Sequence, residues 1–205
     1  MERKEAISKL KRIEGIELHN LAEKNQVTIR TAEGRVNKGW AGHTIERFLG
    51  LPLNSSQSPN FGSWELKVVP IKELRSGVWT IKETMAITMI DPYNVLQTKF
   101  EDSHLFNKLQ KIVMVVRTVG QDMNSDSFVK EVATIDLLDR EVFNQVKQDY
   151  ETVRKTLKEF PDGFSRLSGR MGVYIQPRTK GAGHGSTSRA FYARKNFLNI
   201  FIKSI

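Results

Sequence analysis

The chain has 205 residues, 39% of them hydrophobic and 27% charged, an ordinary balance for a globular protein and enough for one sizeable domain or two small ones. No apolar run approaches the roughly 20 residues that cross a bilayer, and the opening "MERKEAISKLKRIEG" lacks the apolar centre of a secretory signal, so a soluble, non-exported protein is expected. Cysteine is absent, which excludes disulfides, thiolate zinc sites and cysteine nucleophiles together, and leaves oxygen or nitrogen to hold any metal. The net charge of +9 is unevenly spread. From Gly163 to Ile205 there is no Asp or Glu but eight Lys and Arg, while the other 162 residues carry 24 basic and 23 acidic side chains. That end has the charge of a polyanion-binding surface. A basic, solvated face is the plainer reading of the same charge.

In chain order, residues 1 to 33 read as one or two helices, because Ile7, Leu10, Ile13 and Ile16, Leu18, Leu21 recur at roughly helical spacing. A third helix follows in "NKGWAGHTIERFLGL", with Ala41, Ile45, Phe48 and Leu49 on one stripe, Glu46 beside it, and Gly50 and Pro52 as its stop. Residues 54 to 60 form a polar loop of turn formers. Three strands are predicted in "SWELKVVPI", "TMAITMI" and "KIVMVVRTV"; the third is almost continuously apolar and so belongs at the centre of a sheet. Residues 137 to 160 predict an amphipathic helix with Val142, Val146, Tyr150, Val153 and Leu157 on one stripe. "MGVYIQ" predicts a short strand, followed by the glycine-rich loop "PRTKGAGHGSTSR". "AFYARKNFLNIFI" begins extended and becomes helical, with Phe191, Phe197 and Phe201 in the core. The whole is a mixed α/β domain, with the loop at 54 to 60 allowing two lobes around a cleft.

The chemistry concentrates in "PNFGSWELK". Side chains alternate along a strand, so Glu65 and Lys67 share one face. Glu65 can bind a hard cation, the Leu66 backbone carbonyl can add an oxygen, and Lys67 can orient or deprotonate an attacking water and offset phosphate charge. Asn60 can contribute one neutral oxygen. Taken singly, Glu-x-Lys is most often a surface pair. In "QPRTKG", Arg178 can fork onto guanine, Lys180 supplies a point charge, and Gly181, Gly183 and Gly185 would let the loop approach a duplex closely. Alone, this stretch also reads as a flexible surface loop, and His184 within it as a solvated histidine.

Five blocks in order, "NKGWAGHTIERFLG", "PNFGSWELKVVP", "IKETMAI", "GVYIQPRTKG" and "RAFYARKNFLNIF", resemble the MutH mismatch-repair endonuclease and the GATC-cutting type II restriction enzymes related to it. They span residues 37 to 201. The resemblance implies a PD-(D/E)xK nuclease, with a restriction-endonuclease-like mixed β-sheet flanked by helices, two lobes around a DNA cleft, and one domain over residues 1 to 205. It implies Mg²⁺ as cofactor and double-stranded DNA containing GATC as substrate, met by a monomer or a transient dimer in a prokaryotic, nucleoid-associated, cytoplasmic setting. By position, Glu46 matches the supporting helix glutamate, Asn60 the motif aspartate, Glu65 the second acid and Lys67 the lysine. Lys38 matches a basic residue near DNA, and Arg178 and Lys180 the basic pair that reads the major groove. Tyr192 matches a tyrosine that senses adenine methylation, with Glu83 in the same region. Arg194 extends the basic surface.

Asn60 departs from the pattern, and its interval to Glu65 is shorter than in the mismatch-repair branch. An amide in place of a carboxylate removes a negative charge beside a divalent cation, so metal binding weakens and turnover falls, while the DNA-contacting residues are untouched. An engineered substitution and a natural loss of cutting both fit; the intact Glu46, Glu65 and Lys67 favour the first. The sequence therefore points to a type II restriction endonuclease impaired at one ligand, with a mismatch-repair nicking enzyme or a non-catalytic DNA-binding domain as rivals. An RNA-binding fold is disfavoured by the lack of an aromatic stacking pattern.

Overall fold

A computed structural model describes residues 1–50, 63–120, 126–181 and 187–205. Three helices open the chain: α1 (Arg3–Lys11), α2 (Leu18–Lys24) and α3 (Trp40–Phe48). The Glu17 carboxylate caps α2 by accepting from the Asn20 N–H, and Gly50, at φ +70°, lies just past the end of α3. β1 (Glu65–Glu73), β2 (Trp79–Ile81) and β3 (Met85–Met89) follow, then the short helices α4 (Pro92–Gln97) and α5 (His104–Leu109), started by Asp91 and Ser103 as caps. Next come β4 (Lys111–Thr118), β5 (Val129–Asp136) and the 20-residue α6 (Arg140–Glu159), capped by Asp139. The chain closes with α7 (Gly163–Arg166), β6 (Ile175–Thr179), β7 (Arg189–Ala193) and α8 (Lys195–Asn199).

The strands form two sheets. One has the order β2-β1-β4-β5, with β1 and β4 parallel and the outer pairs antiparallel; the other is antiparallel, in the order β3-β7-β6. Helices flank the mixed sheet on both faces, and its strands alternate between two cores. Val69, Ile71, Ile112, Met114 and Val116 enter the larger core, shared with α5, α6 and the three-stranded sheet. Trp64, Leu66, Val113 and Val115 enter the smaller one, shared with α1, α2 and α3. Burial on both sides explains why "KIVMVV" shows no alternation: Ile112 through Val116 are all fully buried in the inner strand β4, as predicted. Phe191 and Phe197 are core residues and Phe201 packs against them.

The strand predicted from "MGVYIQ" begins later, at Ile175. Gly172 turns the chain at φ +75°, and the buried Asp149 carboxylate of α6 accepts the N–H groups of Val173, Tyr174 and Ile175 at 2.7–2.8 Å. These N–H groups are committed to a side chain, so a ladder cannot start before Ile175. In consequence Arg178 lies on β6 rather than in the loop after it. The predicted helix at 137 to 160 begins only at Arg140, because Asp139 caps it and leaves Leu138 88% exposed. Asn60, Gly183, His184 and Gly185 lie outside the described residues.

Candidate active site

β1 enters its sheet at Glu65, opposite Ile112 of β4. Strand alternation puts Glu65 and Lys67 on the face of Val69 and Ile71, and Leu66 on the other, where its side chain is core. Glu65 is 1% exposed, and Lys67 Nζ donates to its Oε1 at 2.6 Å. A second ammonium, Lys108 of α5, lies 3.6 Å from the same oxygen and is almost as buried. A lysine this deep is tolerated when a carboxylate offsets its lost hydration. Burial pushes its proton affinity down, with the charges of Lys67 and Lys180 adding to the effect and Glu65 opposing it.

Glu46 arrives from α3. Its neighbours Trp40, Ala41, Ile45 and Leu49 pack into the smaller core and fix the helix, leaving Glu46 half-buried beside that stripe. Burial raises its pKa and the charge of Glu65 adds to the rise, while His43 and Lys67 oppose it. Glu46, Glu65, Lys67 and Lys108 thus form one electrostatic group, and Lys180, from the end of the other sheet, reaches it through Lys108. Two carboxylates whose like charges repel suit a divalent cation, which relieves that repulsion. Among the described residues no three acidic or imidazole groups converge, so Glu46, Glu65 and the Leu66 carbonyl need a further ligand to complete such a site.

A second group lies on the three-stranded sheet. Arg178 is exposed, donates from Nη1 to Thr84 Oγ1 at 2.9 Å, and places its guanidinium 5.6 Å from the centre of the Tyr192 ring. Lys180 and Gly181 continue β6 beyond this pair, with Gly181 at φ +140°. Lys38 is exposed in the turn before α3. Two residues are engaged elsewhere. Glu83 is exposed and its charge acts on Arg117, which packs over Trp40. Arg194 Nη2 donates to the carbonyls of Gly169 and Met171 at 2.6 and 3.1 Å, holding the loop before β6.

Lys108 escaped the sequence reading although a signal existed: in "HLFNKLQKI" it falls at helical spacing among Leu105, Leu109 and Ile112, where an apolar residue is expected. A cavity of about 940 Å³ is lined by Lys72, Leu74, Trp79, Phe128 and Lys130 at the other end of β1. It lies roughly seven strand residues, about 23 Å, from Glu65 and has no part in this cluster.

A mixed sheet with helices on both faces and acids beside lysines at a strand start is the restriction-endonuclease-like architecture. The chain belongs to the MutH family: the family described as DNA mismatch repair enzyme MutH matches residues 49–155. It is 26% identical over 161 residues to the type II restriction enzyme Sau3AI of Staphylococcus aureus, a match covering 77% of this chain but only 32% of that protein. It is 25% identical over 190 residues to the DNA mismatch repair protein MutH of Shewanella woodyi, covering 91% of this chain and 78% of that one. The MutH protein of Vibrio campbellii is 25% identical over 189 residues, covering 91% and 80%.

Proposed function

We propose that this chain is a sequence-specific DNA endonuclease of restriction type, acting on double-stranded DNA at GATC with Mg²⁺ and impaired in cutting by Asn60. The reading rests chiefly on the convergence of Glu65 with Lys67 and Lys108, at 2.6 and 3.6 Å, where β1 enters the sheet. Glu65, Glu46, the Leu66 carbonyl and Asn60 would hold the ion. Bound there, Mg²⁺ would polarise the phosphoryl group and acidify the attacking water. Lys67 orients that water and offsets charge building on the phosphate. Lys108, whose proton is loosened by burial, is the second cation. Arg178, Lys180 and Tyr192 meet the bases, and Lys38 and the C-terminal basic residues meet phosphates. The products would be 5′-phosphate and 3′-hydroxyl ends.

A second reading, a nicking enzyme of mismatch-repair type, is supported by the match of residues 49–155 to the family described as DNA mismatch repair enzyme MutH. Incubating Asn60→Asp protein with Mg²⁺ and unmethylated, hemimethylated and fully methylated GATC duplexes tests the proposal. The revertant is expected to cut both strands and the unaltered chain to cut poorly or not at all. Cuts confined to one strand would favour the repair type. Duplex binding without any cleavage by the revertant would identify a non-catalytic module.

A further inference from the structure

Lys82, Glu83 and Thr84 lead from β2 of the mixed sheet to β3 of the other. The Lys82 N–H donates to the Pro70 carbonyl at 2.8 Å, which ties this link to β1, the strand of Glu65 and Lys67. In the three-stranded sheet β7 lies between β3 and β6, and Ala86, Tyr192 and Gln176 stand opposite one another. Strand alternation then puts Thr84, just ahead of β3, on the same face as Tyr192 and Arg178. The Arg178 side chain crosses β7 to reach it. Its stem passes Gly169, where a Cβ would lie 3.5 Å from Cγ; its guanidinium is 5.6 Å from the centre of the Tyr192 ring; and its Nη1 donates to Thr84 Oγ1 at 2.9 Å. Gly169 is held in turn by Arg194 Nη2, which donates to its carbonyl at 2.6 Å.

An arginine side chain is long and gives up rotamer freedom when it meets a base, so a fork set in advance loses less on binding. A hydroxyl can set it without weakening it. Being neutral, it leaves the guanidinium its full charge, and it takes one of five N–H donors where a guanine fork needs two. Glu83, one residue earlier, is an acid that could cancel that charge, but its own acts on Arg117. We propose that Thr84 is a specificity-determining positioning residue: its hydroxyl holds the Arg178 guanidinium across the Tyr192 ring, aimed for a guanine. This rests on the proposed DNA-binding reading and adds to it a residue that acts through Arg178 rather than on a base. Because Thr84 is joined to β1 through Lys82, the fork is set against the strand that carries the candidate active site.

The test is duplex binding by the full chain without divalent ions, comparing GATC with AATT between the same flanks. Thr84→Val exchanges the hydroxyl for a methyl, and Thr84→Ser keeps the hydroxyl. Thr84→Val is expected to lower the GATC-to-AATT affinity ratio by about three- to tenfold. Affinity for AATT, the salt slope and the unfolding midpoint should stay as they are, since no phosphate contact is lost. Thr84→Ser should keep the ratio. In Arg178→Ala protein, adding Thr84→Val should lower the ratio no further. In the free protein the Tyr192 ring should displace the Arg178 side-chain proton resonances, an effect that shrinks in Thr84→Val and persists in Thr84→Ser. An unchanged ratio in Thr84→Val overturns the proposal, as does an equal loss on both duplexes or a further loss in the Arg178→Ala background. A ring displacement that Thr84→Val leaves intact overturns it as well; if the unaltered chain still prefers GATC, the DNA-binding reading stands. If the unaltered chain prefers neither duplex, the base-reading assignment of Arg178 fails and the specificity role of Thr84 falls with it.

Discussion

The start of β1 and the β6–β7 hairpin both gather cations, but they hold them differently. Lys67 and Lys108 are drawn into a largely dry environment by Glu65, whereas Arg178 and Lys180 are exposed on a segment of chain that has no acidic residue from Gly163 onward. In the first place the carboxylate is what keeps the lysines folded in; in the second, the segment itself carries no acid. A chemical centre needs fixed, desolvated groups with shifted proton affinities, and a reading surface needs reach. The buried Asp149 of α6 fixes the turn from which β6 departs.

The contrast breaks most severely at Glu65. Glu65→Gln strands two lysines, one of them almost fully buried, and is expected to destabilise the fold by about 3–5 kcal/mol in urea unfolding. Adding Lys108→Met should recover part of that loss; no recovery would mean that the pair is not coupled. Gly172→Ala attacks the turn before β6: a methyl there would lie 1.9 Å from the Ile175 carbonyl oxygen, at a φ of +75°. A loss of about 2–4 kcal/mol is expected by thermal or urea unfolding. Arg178→Ala leaves the fold alone and should cost about 1–3 kcal/mol in GATC discrimination, read as the affinity ratio of cognate to altered duplex.

The smallest effect sharpens the comparison by its sign. The Glu46 carboxyl is held above its ordinary value, chiefly by burial, so the fold binds its proton more tightly than the unfolded chain does. Its contribution to stability is full below the unfolded pKa and is lost as pH rises through the folded one. Glu46→Gln should thus be slightly more stable than the parent at neutral pH, with a flatter pH profile above pH 4.5. A variant less stable at neutral pH would contradict the assigned cause.

What could be read from the sequence follows from what is local. Glu65 and Lys67 share a face by strand alternation alone, β4 declared itself central through an unbroken apolar run, and the stripe of α6 survives intact. Lys108 could be suspected from its spacing, but its partner is remote in sequence and is brought to it by the parallel pairing of β1 with β4 and the short turn from α5 into β4. The late start of β6 depends on a carboxylate of α6, and the second role of Arg194 on carbonyls of the preceding loop; neither leaves a local pattern. β2 and β5 escaped as well. β2 has only three residues, and β5 is an edge strand with charged Lys130 and Glu131 near its start.

The most direct test compares single-turnover cleavage of one GATC duplex, with Mg²⁺, by Asn60→Asp protein and by Asn60→Asp combined with Lys67→Ala. If the start of β1 is the nucleolytic centre, the revertant cuts and the combined variant is slower by on the order of 10²–10³-fold, with duplex affinity kept within a few-fold. Equal cleavage by the two would place the chemistry elsewhere in the molecule.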